Sequence, residues 1–451
     1  MSLQEQVMLC ETLQACREDR VALATPDGVT TWRTLHAEIE QRIESLERLK
    51  SQRLAVRLPA SSAAVATLAA LDALGCHLFL LDEQTSHDQA MQRARDLQLD
   101  GLIGWDQGVW FDEPTEGPHQ PPVRGGVTLL TSGTEGPAKA VEHTWMTLAR
   151  PTRRTAEGAG QVWALCYRVH LYAGLQVLLQ ALLNHGQLVM PDLSAEPDRV
   201  IGQFIDHGVR YVSATPSFVR RLLLLADPGQ FKQVPLRQIT MGGEVVDQAV
   251  IDGIRRLFPD ARIVHIYATS ELGRCFSVAD GQEGFPTDYL REGAIPGVDL
   301  KVVDNELHVR SQNSMVDYDP LGHAGAGLDE EGWRATGDLV DVRGERILFA
   351  GRRGDLINVG GNKVRPIEVE RVIREVDGVS DVRVFGQSSS LAGQLVACDI
   401  VLTTGAEEAT VRQGVIDACA LRLSRYEIPR MINVVTSIAT TAAGKTPRQR
   451  S

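Results

Sequence analysis

The chain of 451 residues lacks several features that define common classes of protein. It has no run of lysine and arginine, and its formal net charge is −12, which argues against a nucleic-acid-binding protein. No stretch reaches about 18 apolar residues, so no membrane span is expected. The N-terminal segment has no basic region before a long apolar run and is typical of an amphipathic helix, not of a signal peptide. We therefore expect a cytoplasmic protein that needs neither nucleic acid nor membrane.

Cysteine is sparse, and its spacing excludes two further classes. The seven cysteines are scattered along the chain, and no two of them form a CxxC pair. This pattern indicates buried thiols in a reducing compartment, and neither a disulfide framework nor a zinc site. Apolar residues make up 43% and charged residues 23% of the chain, which is an ordinary balance for a globular protein.

Short β-like runs alternate with helical patterns over the first 350 or so residues. RLAVRLPA (53–60) predicts a strand, SAAVATLAALDALG (62–75) a helix and CHLFLLD (76–82) another strand. Alternation of this kind favours an α/β fold with doubly wound parallel sheets. Ligands in such folds bind at the carboxyl ends of the strands.

The pattern changes towards the C-terminus. KVVDNELHVRS (301–311) predicts two strands joined at Asp304-Asn305, as part of a small barrel-like β piece. After GRRGD (351–355), helices and strands predict a compact α+β unit of domain size. We therefore expect a large domain over residues 1–353 and a small, mobile C-terminal domain over residues 354–451.

A loop rich in small polar residues, TSGTEGPAKAV (131–141), follows an apolar strand. Glycines let backbone N–H groups approach anionic oxygens, and hydroxyls and one lysine add donors. The loop is no Walker A motif, because Lys139 is flanked by Ala138 and Ala140. The residues alone leave two readings open, a phosphate-binding loop and a solvent-exposed turn.

Four more motifs follow this loop, in order: YATSELG (267–273), GWRATGDLV (332–340), GRRGDLINVGGNKVRPIEVE (351–370) and TAAGKTPRQR (441–450). Together the five motifs resemble the adenylate-forming superfamily, which includes acyl- and aryl-CoA synthetases, adenylation domains of peptide synthetases and luciferases. The resemblance implies a ligase that uses ATP and Mg²⁺. Such an enzyme activates a carboxylic acid as its acyl adenylate and then transfers the acyl group to a phosphopantetheine thiol.

The resemblance implies the following ATP-binding residues: Thr131, Ser132, Gly133, Thr134, Gly136, Lys139, Gly243, Glu244, Tyr267, Ser270, Asp338 and Arg352. Tyr267 is expected to stack on adenine, and Asp338 and Arg352 to contact the ribose. Glu271 matches the family's magnesium-binding glutamate, and an oxygen ligand suits that cation. Without the family context, Glu271 reads as a surface acid and Tyr267 as a core aromatic residue.

Catalytic roles are implied for two further residues besides Glu271. Lys445 matches a mobile lysine that bridges the reacting carboxylate and the α-phosphate, although a lysine near a terminus is usually a solvated one. His170 matches a histidine near the bound acid, although a histidine among apolar residues is more often part of a core. Gly354 stands where the family has its hinge, and Gly360 and Gly361 match a turn that lines the thiol tunnel.

The expected acid pocket is lined by Tyr172, Gly174, Thr215, Met241 and Ala268. RVHLYAGL (168–175) carries no acidic residue to pair with an ammonium group, so a free amino acid is not expected. Small and apolar walls favour a flat aryl acid or a short acyl chain. The thiol acceptor is CoA or an acyl carrier protein, and Arg371, Arg374 and Arg383 are candidates for contacting an acidic carrier. The alternative function is a non-catalytic relative that binds AMP or acyl-AMP.

Overall fold

The computed structural model describes residues 8–106, 109–115, 125–131, 139–315, 317–318, 328–389 and 393–438. These residues form two units. The first contains the described residues up to Glu283 together with 295–298 and 310–318, and the second contains 284–294, 299–309 and those from 328 onward. In the described part of the chain, no helix is long and apolar enough to cross a membrane.

Many helices begin at a side chain that caps the first turn, as Ser61, Thr215 and Asp247 do. The α-helices of the described ranges are α1 (Met8–Gln14), α2 (Trp32–Leu46), α3 (Ser62–Ala73), α4 (His87–Asp96), α5 (Trp145–Ala149), α6 (Tyr172–Leu182), α7 (Pro197–Asp206), α8 (Pro216–Leu225), α9 (Pro228–Phe231), α10 (Gln248–Leu257), α11 (Pro366–Arg374) and α12 (Glu408–Arg422).

Strands are short and occur along the whole described chain. They are β1 (Val21–Thr25), β2 (Gly28–Thr31), β3 (Arg53–Leu58), β4 (His77–Asp82), β5 (Gly101–Asp106), β6 (Val109–Pro114), β7 (Gly126–Thr131), β8 (Lys139–His143), β9 (Val162–Cys166), β10 (Gln187–Val189), β11 (Tyr211–Ala214), β12 (Gln238–Gly242), β13 (Arg262–Thr269), β14 (Gly273–Val278), β15 (Phe285–Pro286), β16 (Val298–Val303), β17 (Glu306–Ser311), β18 (Asp317–Tyr318), β19 (Arg334–Arg343), β20 (Arg346–Arg352), β21 (Ile357–Val359), β22 (Asn362–Val364), β23 (Val379–Ser389), β24 (Gly393–Leu402) and β25 (Met431–Val434).

Two large sheets form the first unit. One has eight strands in the order β14-β13-β12-β11-β9-β10-β1-β2, and its strands from β13 to β1 are parallel. The other has seven strands in the order β18-β8-β7-β4-β3-β5-β6, with a parallel centre of β7, β4, β3 and β5. Helical crossovers link the parallel strands, as the alternating pattern predicts.

Apolar residues fill three layers around these sheets. The inner layer lies between the sheets and contains α1, α2, α3, α5 and α6. A second layer packs α7, α8, α9 and α10 on the outer face of the eight-stranded sheet, and α4 covers the outer face of the other sheet. Helices thus cover both faces of each sheet, which confirms the doubly wound α/β prediction.

The second unit contains two smaller sheets. A five-stranded sheet has the order β15-β20-β19-β17-β16, and its turn between β16 and β17 places Asp304 and Asn305 at φ of 49° and 60°. These left-handed values are those that Asp and Asn tolerate, so the predicted hairpin at this dipeptide is confirmed. The second sheet, β22-β21-β24-β23 with β25 beside β24, packs against α11 and α12 as the predicted C-terminal α+β unit.

The predicted domain junction lies between the two sheets of the second unit. The last strand of the five-stranded sheet ends at Arg352, and the next sheet begins at Ile357. Gly354 lies between them in a short, exposed 3₁₀ turn over Arg353–Asp355. The boundary between 353 and 354, and the mobility of the C-terminal part, stay predictions.

A buried carboxylate anchors α1 to α3. Asp72 of α3 is 2% exposed and accepts hydrogen bonds from the backbone N–H groups of Leu9 and Cys10, at 3.0 and 3.1 Å. These N–H groups belong to the first turn of α1, where backbone N–H groups have no acceptor within their own helix. Burial raises the pKa of Asp72 from 3.8 to about 7, and the two N–H groups oppose this rise.

We predict that Asp72→Asn flattens the pH dependence of stability. The pKa of Asp72 is higher in the folded than in the unfolded chain, so between about pH 4 and pH 7 the folded state holds more protons. The free energy of unfolding of the parent should therefore fall as pH rises through this range. The asparagine side chain still accepts the hydrogen bonds from Leu9 and Cys10 but does not titrate. The free energy of unfolding of Asp72→Asn should therefore fall less than that of the parent as pH rises.

Thermal unfolding midpoints measured from pH 4.5 to pH 7.5 test this prediction, with Asp206→Asn as the control because Asp206 is exposed. Parallel pH profiles for the parent and Asp72→Asn would contradict it.

Candidate active site

The carboxyl ends of β9, β11, β12 and β13 meet at one edge of the eight-stranded sheet, because these strands are parallel neighbours. The segments that follow them carry predicted site residues. His170 follows β9, Thr215 follows β11, Gly243 follows β12 and Glu271 follows β13. The sheet therefore brings together residues that are up to about 100 positions apart in sequence, at the edge where such folds bind ligands.

The turn between β13 and β14 carries Ser270 and Glu271, and several contacts hold it. The carbonyl oxygen of Ser270 lies 2.7 Å from Nε2 of His143, and that of Glu271 accepts from the backbone N–H of Met315 at 2.8 Å. The N–H of Leu272 donates to Thr269 Oγ1 at 3.1 Å. Consecutive peptide groups of this turn are thus held on both sides of Glu271, whose own side chain is half-buried.

His143 is a residue to which the sequence assigns no role. It ends β8, is fully buried, and its Nδ1 lies 3.2 Å from Oγ1 of Thr147. Because a carbonyl can only accept, Nε2 carries the proton, and Nδ1 faces the Thr147 hydroxyl, which also donates to the Thr144 carbonyl oxygen at 3.0 Å. Burial lowers the pKa of His143, which keeps the ring neutral and preserves this pattern. The contact spans 127 positions, so no local signal reveals it.

The predicted phosphate loop lies between β7 and β8. These strands pair in antiparallel fashion, and Thr131 stands opposite Lys139. The two ends of the loop are therefore adjacent. Residues Ser132, Gly133, Thr134 and Gly136 lie outside the described residues, as does Lys445, and the side chains of Thr131 and Lys139 are likewise not described.

The glycine turn after β12 has the backbone that its sequence requires. Gly243 has a φ of +85°, a left-handed conformation that favours glycine. Glu244 accepts from the N–H of Ser217 at 3.0 Å, which fixes the turn to the first turn of α8. The hydroxyl of Tyr167, a second residue that the sequence analysis missed, lies 2.5 Å from the Ala214 carbonyl oxygen and 3.3 Å from that of Gly242.

The aromatic residue expected to contact adenine lies near the end of β13. The ring of Tyr267 is half-buried and stacks on that of Phe276 of β14, with centroids 5.2 Å apart. This stacking fixes the plane of the ring at the same edge of the sheet. Its contact with adenine stays a prediction.

The residues predicted for the acid pocket fall into different environments. Tyr172 is 7% exposed, and its hydroxyl accepts from the N–H of Arg274 at 3.1 Å; Ala268 packs against the same inner layer. Met241 is fully buried in the layer on the other face of the sheet. The hydroxyl of Thr215 caps α8 by accepting from Phe218 N–H. These positions favour a packing role for Met241 and a capping role for Thr215.

Gly174 has a local reason to be glycine. A Cβ atom at this position would lie 2.1 Å from the carbonyl oxygen of Arg168, so the first turn of α6 approaches the preceding segment too closely for a side chain. The same segment holds Arg168, which pairs with Asp82 at 2.6 Å. Burial lowers the pKa of His170 to about 4 against the attraction of Asp82, so this imidazole is neutral at neutral pH.

The second unit holds the predicted ribose-binding pair. Arg352 Nε donates to Asp338 Oδ1 at 2.8 Å, and the two residues are directly opposite on β20 and β19. Gly337 has a φ of +75°, and its N–H donates to the carboxylate of Glu306 at 2.7 Å. Arg353 donates to the other oxygen of Glu306 at 2.5 Å. Glu306, which the sequence analysis missed, thus orients the glycine turn before Asp338.

The predicted thiol-tunnel glycines form a two-residue hairpin turn between β21 and β22. Gly360 and Gly361 have φ values of +57° and +90°, as a type I′ turn requires. Arg365 after this hairpin pairs with Asp341 at 2.8 Å and Glu368 at 3.2 Å. Arg383 is 8% exposed and pairs with Asp399, so the expectation that it contacts a carrier protein is wrong, because it is buried.

Comparison with known proteins identifies the family. The family model described as AMP-binding enzyme matches residues 125–314, and that of the AMP-binding enzyme C-terminal domain matches residues 368–445. Together they account for more than half of the chain, which therefore belongs to the AMP-binding, adenylate-forming enzymes. The predicted family is confirmed.

Two relatives with similar sequences are named as CoA ligases. The chain is 25% identical over 335 residues to a methyl-dioxo-octahydroindenyl propanoyl:CoA ligase of Rhodococcus jostii, covering 70% of this chain and 62% of the relative, which is less than two thirds of its length. It is 23% identical to a 2-succinylbenzoate–CoA ligase of Bacillus cytotoxicus, covering 96% and 95% of the two chains.

A solved structure shares the fold over nearly the whole chain. It is that of an anthranilate CoA ligase in complex with anthranoyl-AMP, which superposes with a TM-score of 0.79 at 19% identity and covers 99% of this chain and 98% of the other. At this identity the likeness confirms the architecture of the chain and says nothing of its substrate.

We predict that His143→Ala weakens the binding of Mg²⁺-ATP by about 10- to 100-fold. His143 holds the turn that carries Glu271, the predicted magnesium ligand, and loss of a group that orients a metal ligand typically has this effect. His143→Gln should restore most of the affinity, since its side-chain amide offers a donor to the Ser270 carbonyl. Isothermal titration with Mg²⁺-ATP measures the change.

His265→Ala is the matched control, since His265 is also buried and its Nε2 lies 3.0 Å from the Gln282 carbonyl oxygen. It should lower the thermal midpoint and leave nucleotide affinity unchanged. Equal losses of affinity in the two alanine variants would refute a positioning role.

Proposed function

We propose that the chain is an AMP-forming acid–thiol ligase that activates a small aryl acid. In the first half-reaction, a carboxylate oxygen of the acid attacks the α-phosphorus of ATP and releases pyrophosphate. In the second, a phosphopantetheine thiol attacks the acyl carbon and releases AMP. The supporting observation is that Gly243, Tyr267, Ser270 and Glu271 lie at the carboxyl ends of the adjacent parallel strands β12 and β13.

Residues of both units contribute to ATP binding in this proposal. Tyr267 contacts the adenine ring, and the backbone near Gly243 lies beside it. Asp338 accepts from the ribose hydroxyls, since a carboxylate accepts several hydrogen bonds at once, and Arg352 holds its orientation. The segment from Thr131 to Lys139 binds the outer phosphates, because its glycines and hydroxyls supply donors to anionic oxygens.

Glu271 fits the role of a magnesium ligand. Among the described residues, no group of three or more His, Cys, Asp or Glu is placed to hold a metal ion. Magnesium in nucleotide sites takes only one or two carboxylates and completes its coordination with phosphate oxygens and water. When bound, it would neutralise charge on the phosphates. The chain's own contribution is to hold the Glu271 backbone through His143 and Met315.

Lys445 and His170 act on the reacting carboxylate in this proposal. The ammonium group of Lys445 stabilises the charge that develops between the carboxylate and the α-phosphate. The neutral imidazole of His170 adds a donor without a charge. Gly354 is the proposed hinge, and the hairpin turn at Gly360 and Gly361 is the proposed contact for the pantetheine arm, which backbone without side chains approaches closely.

The relatives favour CoA over a carrier protein as acceptor. Two relatives are named as CoA ligases, which supports CoA as the acceptor. The name 2-succinylbenzoate denotes an aryl acid, which supports the choice of an aryl acid.

Acid-dependent exchange of labelled pyrophosphate into ATP tests the first half-reaction. A panel of aryl and short acyl acids should contain at least one that supports exchange with the parent chain. Lys445→Ala should abolish the exchange while still forming thioester from supplied acyl adenylate, because the lysine acts only in adenylation. Lys232→Ala, a change of an exposed lysine, is the control. No exchange with any acid would favour a non-catalytic AMP-binding protein.

We also predict that Asp338→Asn raises the KM for ATP by about tenfold, because a charge-assisted hydrogen bond to the ribose is lost. Steady-state exchange kinetics with varied ATP measure this. Asp341→Asn is the control, since Asp341 is on the same strand and pairs with Arg365. A similar rise in both variants would mean that the change acts through the strand and not through the nucleotide.

A further inference from the structure

A half-buried arginine lies beside the residues predicted for the acid pocket. Arg274 is the second residue of β14, three positions after Glu271, and it stands directly opposite Ala268 of β13. Side chains of directly opposite residues project from the same face of a sheet. Ala268 packs against the inner layer that contains Tyr172, so the side chain of Arg274 projects to that side.

The backbone of Arg274 is held firmly. Its N–H donates to the Tyr172 hydroxyl at 3.1 Å, and its carbonyl oxygen accepts from Asn313 Nδ2 at 2.9 Å. A Cβ atom at the preceding Gly273 would lie 3.1 Å from the Tyr172 hydroxyl and 2.4 Å from the Asn313 carbonyl oxygen. The strand therefore packs tightly against α6 at this point, and the backbone position from which the Arg274 side chain extends is fixed.

The guanidinium group lacks the counter-ion that comparable arginines have. Arg168 pairs with Asp82 and Arg220 with Asp247, each at 2.6 Å, and all four of these side chains are largely buried. Within the described ranges, the guanidinium of Arg274 forms no ion pair and no hydrogen bond. Burial lowers the pKa of Arg274; the Tyr172 hydroxyl opposes this shift and a second cation, Arg153, adds to it.

Partial burial of a cation without a counter-ion carries a desolvation cost, and an anionic ligand group would offset that cost. A guanidinium presents donors in a planar fork that matches the two oxygens of a carboxylate. We propose that Arg274 binds a second carboxylate of the acid substrate, so that the substrate is an aryl dicarboxylic acid. This inference rests on the proposed ligase function and specifies its substrate class.

Arg274 binds the carboxylate that does not react. Glu271 lies in the turn before β14 and Arg274 lies on β14 itself, so the two residues occupy separate positions beside the pocket. The carboxylate that is activated lies with the phosphates near Glu271. The second carboxylate therefore acts through binding and orientation, and its loss should appear in KM more than in kcat.

Pyrophosphate exchange with matched pairs of acids tests this inference. Phthalate, isophthalate and terephthalate are each compared with their monomethyl esters, which keep the shape and one carboxylate. In the parent chain, at least one diacid should exceed its ester in kcat/KM by about tenfold or more, as expected for a charge-assisted contact. Arg274→Gln should remove that difference by raising KM for the diacid, with little change for the ester.

Two further variants complete the test. Arg274→Met keeps the apolar length of the side chain and should behave like Arg274→Gln, which separates lost charge from lost packing. Arg153→Gln, a change of the neighbouring exposed arginine, should leave the preference for the diacid unchanged. Thermal midpoints of all variants establish that they are folded.

The inference is overturned if every ester equals its diacid in the parent, or if Arg274→Gln and Arg274→Met slow the diacid and the ester by the same factor. These outcomes leave the ligase function intact when monocarboxylic acids support exchange. If no acid of either kind supports exchange with the parent chain, the proposed function itself fails, and this inference fails with it.

Discussion

Parallel pairing of β9, β11, β12 and β13 is the constraint on which the candidate active site depends. Each strand runs in the same direction, so their carboxyl ends meet at one edge, and the segments after them are neighbours although they are distant in sequence. The inner layer and the outer helices hold these strands in place by burying both faces of the sheet. Strand register and core packing together therefore determine where the predicted site residues of the first unit lie.

Within that frame, polar contacts fix the backbone of the individual turns. The Ser270 carbonyl, the Gly242 carbonyl and the Gly337 N–H are each contacted by a side chain from a distant part of the chain, namely His143, Tyr167 and Glu306. Backbone N–H and C=O groups that are buried need hydrogen-bond partners, and in turns side chains often supply them. Residues of this kind hold the backbone of the turns that carry the predicted site residues.

Sequence reasoning predicted the elements with strong local signals. The helix at α3, the strand at β4 and the hairpin at Asp304-Asn305 follow from periodicity and turn chemistry, which act over a few residues. The roles of His143 and Glu306 were not predictable, because their partners are 127 and 31 positions away. The face on which Met241 lies is set by the register of β12, which a five-residue strand without clear alternation does not reveal.

The burial of every cysteine has a consequence for the proposed ligase chemistry. All seven thiols are buried, and burial raises the pKa of Cys10, Cys76 and Cys398 to about 12. Only a thiolate attacks an acyl adenylate efficiently. In the proposed ligase, none of these cysteines would compete with the incoming pantetheine sulfur for the acyl adenylate.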